Sequence, residues 1–207
     1  DIDAGSTITL GKLRTTSSAD LVITSTGGAV LDAGEGPVDI IATTAKLVIN
    51  AVGGIGQGDA LETTVAQIEL TNSGSGDIAL IESDNLTIVK VAQSASGSVN
   101  ISTVSGAITV SGQGVTATTG NVTLYAGASM LRLNAPVKTT GGSVAITAEN
   151  GDLILAAGIE VLGAGNILLA APLGSILNDT SAVGWLLSGS VFHVDIDWAL
   201  RRGYVLV

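Results

Sequence analysis

The sequence predicts an all-β fold, a right-handed parallel β-helix (β-solenoid) with about 22 residues and three short strands per coil. Three observations carry this. A small or turn residue followed by apolar residues two and four positions later recurs in pairs about 9 residues apart, and the pairs recur about every 22. The apolar residues within each unit alternate with polar ones, the period of a strand with one buried face. No stretch has the 3.6-residue period of a helix, so coils have to bury their faces against one another.

The clearest run begins at Gly76 (GDIAL) and Asp84 (DNLTI) and continues at Gly97 (GSVNI) and Gly106 (GAITV), then Gly120 (GNVTL) and Ser129 (SMLRL). Gly142 (GSVAI), Gly151 (GDLIL), Gly165 (GNILL) and Gly174 (GSILN) complete it. Val99, Ile101, Ile108, Val110, Val122, Leu124, Leu131, Leu133, Val144, Ile146, Leu153, Leu155, Ile167 and Leu169 are assigned inward. Asn100, Thr109, Thr123, Arg132 and Ala145 are assigned outward. Val115, Val137 and Ile159, each 22 apart, mark a weaker third strand. Coils about 4.8 Å apart give roughly nine coils and a rod about 40–45 Å long, with the right hand that parallel crossovers take.

The same pattern reaches upstream less evenly, at Ala19 (ADLVI), Gly36 (GPVDI), Ala45 (AKLVI) and Ala66 (AQIEL). A strand is expected over Ser6-Thr7-Ile8-Thr9-Leu10, and a variable loop near 51–64, where AVGGIGQGDALETT breaks the alternation. The glycines are expected at corners that need φ > 0, with Asn85, Asn121, Asp152 and Asn166 tolerating the same geometry and hydrogen-bonding along the stack. Residues 1–180 form the array. Residues 181–207 carry four of the five aromatics, Trp185, Phe192, Trp198 and Tyr204, and read as strands forming a cap or a last, larger coil.

Composition narrows the function. The 207-residue chain is rich in Val, Ile, Leu, Ala and Gly, with 28 glycines and three prolines, which excludes disorder. A net charge of −10 with scattered basic residues argues against nucleic acid as a partner. Zero cysteines remove disulfides, thiolate catalysis and zinc-thiolate sites. No apolar stretch of about 20 residues spans a membrane, and no signal peptide opens the chain. It reads as a mature protein or as an internal stretch of a longer array.

At Gly54-Ile55-Gly56, Leu61-Glu62-Thr63-Thr64-Val65 and Ile68-Glu69-Leu70, then through GDIALIESDNLTI (76–88) and GGSVAITAENGDLILAAG (141–158), the chain resembles the filamentous-haemagglutinin-like repeats of large bacterial surface exoproteins. The resemblance covers most of residues 1–180. It implies a parallel β-helical stalk exported by a Gram-negative bacterium, on the cell surface or extracellular, acting in adhesion, biofilm formation or cell contact. It carries no catalytic residues to transfer.

Candidate sites are few. Gly53-Gly54-Ile55-Gly56-Gln57-Gly58-Asp59 is near a calcium nonapeptide, but Asp59 is displaced by one residue and the motif occurs once, so it reads as a Gly-rich turn. Asp77, Glu82 and Asp84 are read as solvated acidic turns rather than a calcium site. His193, Asp195 and Asp197 share one strand face with metal-compatible spacing, and read as its ordinary polar side. A polysaccharide-cleaving enzyme needs a pair of carboxylates and sugar-stacking aromatics. Between 90 and 180 the chain offers only Glu149, Asp152, Glu160, Asp179 and Tyr125. The expectation is therefore a non-enzymatic adhesive stalk segment without cofactor or metal, with a carbohydrate-active β-helix enzyme as the alternative. Expected partners are neighbouring repeats of the parent protein or another copy, end to end, and host-cell or biofilm glycans and proteins.

Overall fold

The computed structural model describes residues 1–34 and 38–179, and the backbone of strands Leu187–Ser188 and Val191–Val194. The described residues form a parallel β-solenoid with no helix. Three faces wind around one aliphatic core.

On the first face the chain returns to the same line at Ile8, Val30, Ile55, Ile78, Val99, Val122, Val144, Ile167 and Phe192. On the third face it returns at Ile2, Ile23, Ile49, Leu70, Val91, Val115, Val137, Ile159 and Leu187. The second face stacks Leu86, Ile108, Leu131, Leu153 and Ile176. Nine rungs are thus joined by eight turns, about 38 Å at a 4.8 Å rise.

Every residue assigned inward from the alternation is buried, including Val115, Val137 and Ile159. Each fully buried aliphatic side chain contributes about 1.5–3 kcal/mol, so the stack is the main source of stability. From Val122 upward each coil has three separate strands, as in Val122–Ala126, Leu131–Leu133 and Val137–Thr139. Lower down, the second and third faces merge into single bent strands, Leu86–Gln93 and Ile108–Ala117, and in Ile40–Ala51 and Leu61–Asn72 the end of the first face joins them. The expected loop at 51–64 is narrower at both ends. Ala51 closes one strand, Leu61 opens the next, and Ile55 between them is a fully buried rung, because a coil can bulge only between its core anchors. The aromatic segment beyond Val194 lies outside the described residues.

The role of the glycines also differs from expectation. Gly76 and Gly97 do have positive φ, 105° and 140°. Gly106, Gly120, Gly142, Gly151, Gly165 and Gly174 do not. There the constraint is space. A Cβ on Gly120 would sit 1.8 Å from the Gly97 carbonyl oxygen, and one on Gly142 2.1 Å from that of Gly120. The corner glycines stack directly on one another, and a side chain would force the coils apart.

No described non-glycine residue has positive φ, so Asn85, Asn121, Asp152 and Asn166 do not use the left-handed region. They act through hydrogen bonds between coils. Asp77 Oδ1 accepts from the Ser98 N–H (2.7 Å), Ser98 Oγ from Asn121 (3.3 Å), Asn121 Oδ1 from Ser143 (2.8 Å), and Ser143 Oγ from Asn166 (3.0 Å). Asn85 Oδ1 and Asp152 Oδ1 accept from Ala107 and Ser175, each at 2.8 Å.

Candidate functional site

The lower coils place acidic side chains where the regular coils have none. On the first face a regular coil takes four residues from its first rung to the corner, as from Ile78 to Glu82 or Val99 to Thr103. The register partners of those corners are Leu13, Ile40 and Thr63. The second coil therefore takes ten residues from Val30 to Ile40, and the third takes eight from Ile55 to Thr63. These excursions leave and rejoin the stack through Asp32, Asp39 and Glu62.

Oxygens of those three carboxylates lie within 4.8 Å of one another. Asp39 is 1% exposed, whereas Asp32 and Glu62 are half-buried. The local backbone fixes them. Asp32 Oδ1 accepts from the Gly34 N–H at 2.8 Å, and Asp39 Oδ2 accepts from the Glu62 N–H at 2.8 Å. The Asp39 N–H in turn donates to the Glu62 carbonyl at 2.8 Å. No ion pair among the described residues reaches the group. Burial pushes the Asp39 carboxyl up to about 7, and the neighbouring Asp32 carboxyl adds to this, against the pull of the Glu62 N–H. Like charges this close are relieved by a shared proton or a hard cation between carboxylates.

Of the sites considered from the sequence, those within the described residues are not assembled. Asp77, Glu82 and Asp84 do not converge. Asp77 supports the next coil's backbone, and Glu82 is fully buried. Glu82 shares the inward parity of Ile78 and Leu80, which was the available signal for its burial. Asp59 is exposed and joins no acidic group, while Gly54 donates its N–H to Asn72 Oδ1 at 3.0 Å. Of the four upper carboxylates, Asp152 accepts a backbone N–H, Glu160 pairs with Lys138 and Asp179 with Arg132. The His193 backbone stacks on Leu168, while its side chain, Asp195 and Asp197 lie outside the described residues.

No protein-family model matches the chain, and no curated protein or solved structure does. What the acidic group can do has to follow from its own chemistry. It was invisible to the repeat pattern, because Asp32 and Asp39 flank an excursion and only the register of the coil above brings Glu62 to them.

Among the described residues the outer faces carry one exposed aromatic, Tyr125. It borders an apolar groove of about 240 Å³ with Ala60, Ala79, Ile81 and Ile101. Three of the six described basic side chains, Lys46, Arg132 and Lys138, form ion pairs between coils. Lys46 bridges Asp20 (3.2 Å) and Glu69 (2.8 Å), and Lys138 meets Glu160 (2.8 Å). No helix among the described residues is long and apolar enough to cross a membrane.

Proposed function

We propose that the chain is a stalk segment of a secreted or cell-surface bacterial exoprotein of the filamentous-haemagglutinin-like kind. Its work is to supply length and rigidity, and its partners are neighbouring repeats of the parent protein or another copy, end to end. The observation that carries this reading is the single aliphatic core running unbroken through the rungs, with Lys46, Lys138 and Asp77 joining adjacent coils. A residue inventory of this kind builds a rod cheaply, and any contact with host or biofilm glycans and proteins falls to the outer faces and the lower excursions. Immunogold labelling of intact bacteria expressing the parent protein tests it. Label on unpermeabilised cells, held away from the membrane, is the expected result. Label that appears only after permeabilisation would refute it.

A second reading, a carbohydrate-active β-helix enzyme, has one observation in its favour. Asp39, with its carboxyl raised to about 7 and within 4.8 Å of the Asp32 carboxylate, is the kind of group that acid–base chemistry uses. Incubation with a panel of polysaccharides discriminates: release of reducing ends that disappears in Asp39→Asn favours the enzyme, and no release favours the stalk.

A further inference from the structure

Glu82 ends strand Ile78–Glu82 with its carboxylate fully buried. The coil below runs straight through this corner as one strand, Leu61–Asn72, whereas the coil of Glu82 turns before Leu86–Gln93. The two backbones therefore separate between the register pairs Thr63–Glu82 and Gln67–Thr87. The Glu82 side chain fills the gap where a backbone carbonyl would otherwise serve. Its Oε2 accepts from the Val65 N–H at 3.0 Å and the Thr63 hydroxyl at 2.6 Å. Its Oε1 accepts from the Ser83 and Asp84 N–H groups of its own turn, at 3.0 and 3.4 Å. Outside the same gap lies an open pocket of about 200 Å³ lined by Thr43, Thr64, Val65, Ala66, Asp84 and Asn85.

We propose that Glu82 is a proton-operated clasp: protonated, it closes the third coil on the fourth between Thr63 and Gln67, and ionised, it lets that seam open. The Thr63 hydroxyl explains how both forms fit. It lies 2.6 Å from Glu82 Oε2 and 3.5 Å from the Ile81 carbonyl. With Glu82 ionised the hydroxyl donates to the carboxylate. With Glu82 protonated, the carboxyl O–H donates to Thr63 Oγ1, and Thr63 turns its own hydrogen to the Ile81 carbonyl. Only one proton changes place.

The charges around the clasp favour this. Asp84, on the same turn, repels the ionised form. Strand Leu61–Asn72 below brings Glu62 beside Thr63, and strand Val99–Thr103 above stacks Thr103 on Glu82 and brings no charge. None of the ion pairs reaches Glu82. Burial pushes its carboxyl up to about 7 from 4.5, against the Thr63, Val65 and Asp84 donors. The closed seam thus holds the proton more tightly than an opened, hydrated one. Opening becomes easier as the pH rises between those values, by up to about tenfold per unit.

Residue-resolved amide hydrogen exchange tests the clasp, read at Val65, Ser83 and Asp84 and corrected for intrinsic rates, with Val122–Ala126 as internal reference. Between about pH 5 and pH 8, protection in the wild type should fall at least ~10-fold relative to that reference. In an Asp39→Asn background, which removes the other raised carboxyl of the lower coils, Glu82→Gln, a neutral isostere, should leave it level. Protection that ignores pH in the wild type, or keeps the same slope in Glu82→Gln, overturns the proposal. Should Glu82→Gln fail to fold, carboxyl NMR of the wild type decides instead: a Glu82 midpoint near 7 supports the clasp, and one near the ordinary 4.5 rejects it.

Discussion

The coils above Gly97 and those below it share one ladder but hold their corners differently. Above, the corner is a glycine stacked on a glycine, followed by a side chain that accepts the next coil's N–H. Below, glycines still stack, as Gly76 does over Gly53, but where the upper half buries the hydroxyls of Thr103 and Thr139, larger polar groups are buried at the corners. Asn72 Nδ2 donates to the Gly74 and Gly76 carbonyls at 3.0 Å, Gln93 Nε2 donates to Ser96 at 2.8 Å, and Asp39 and Glu82 join adjacent coils. A regular coil length lets backbone meet backbone. An irregular one leaves donors that only side chains can reach, and those side chains have to be desolvated.

The comparison breaks most sharply in the aliphatic stack, which both halves share. Ile108→Asp, Leu124→Asp and Leu153→Asp each bury an unpaired carboxylate at a fully buried position, and should unfold the chain with a cost of about 3–5 kcal/mol or more. Thr109→Asp and Thr123→Asp, on the outer side of the same strands, should melt close to wild type by circular dichroism. A smaller effect separates the corners. Gly120→Ala and Gly142→Ala push a methyl into the coil beneath and should cost about 1–3 kcal/mol, an overpacking cost. Gly5→Ala has nothing within 4 Å of the new methyl and should be tolerated in the same thermal melts.

The lower half should also respond to pH where the upper does not. The Asp39 carboxyl is raised from 3.8 to about 7, so between those values the folded chain holds more protons than the unfolded one. Stability then falls as the pH rises through that window, and is greatest at its acid end. A drop on the order of several degrees in the melting of the lower coils is expected between pH 4 and pH 7, reduced in Asp39→Asn and flattened when Glu82→Gln is added. The smallest effect belongs to the surface. Lys46→Ala loses a bridge between Asp20 and Glu69, and Lys138→Ala loses a single exposed pair. Each should cost about 0–1 kcal/mol in denaturant titrations, and less at high salt.

The architecture was legible because a buried face repeats with period two, and each coil repeats the last. Val122, Val144 and Ile167 had to point the same way once their spacing matched. Gly120 was legible as a corner but not for its reason, since the approach of Gly97 beneath it is a property of the stack rather than of local sequence. The acidic group was not legible at all. The parity of GPVDI puts Asp39 outward, where a solvated side chain is expected, whereas Asp39 is buried beside Asp32 and Glu62, and Asp32 meets Glu62 only through the register between coils. Glu82 lay between, its parity readable and its hydrogen-bond partners not.

The most direct test of the account is to remove one coil. If length is made by stacking interchangeable turns, deleting residues 122–143 joins Asn121 to Val144, where Ser143 normally precedes it, and Val99 then takes Val144 as its partner. The account predicts a folded chain shortened by one rise of about 4.8 Å in X-ray scattering, with the circular dichroism of the parent and a cooperative melt. A chain that unfolds on losing that single coil would show that the upper half is held by contacts particular to each turn, and would contradict the account.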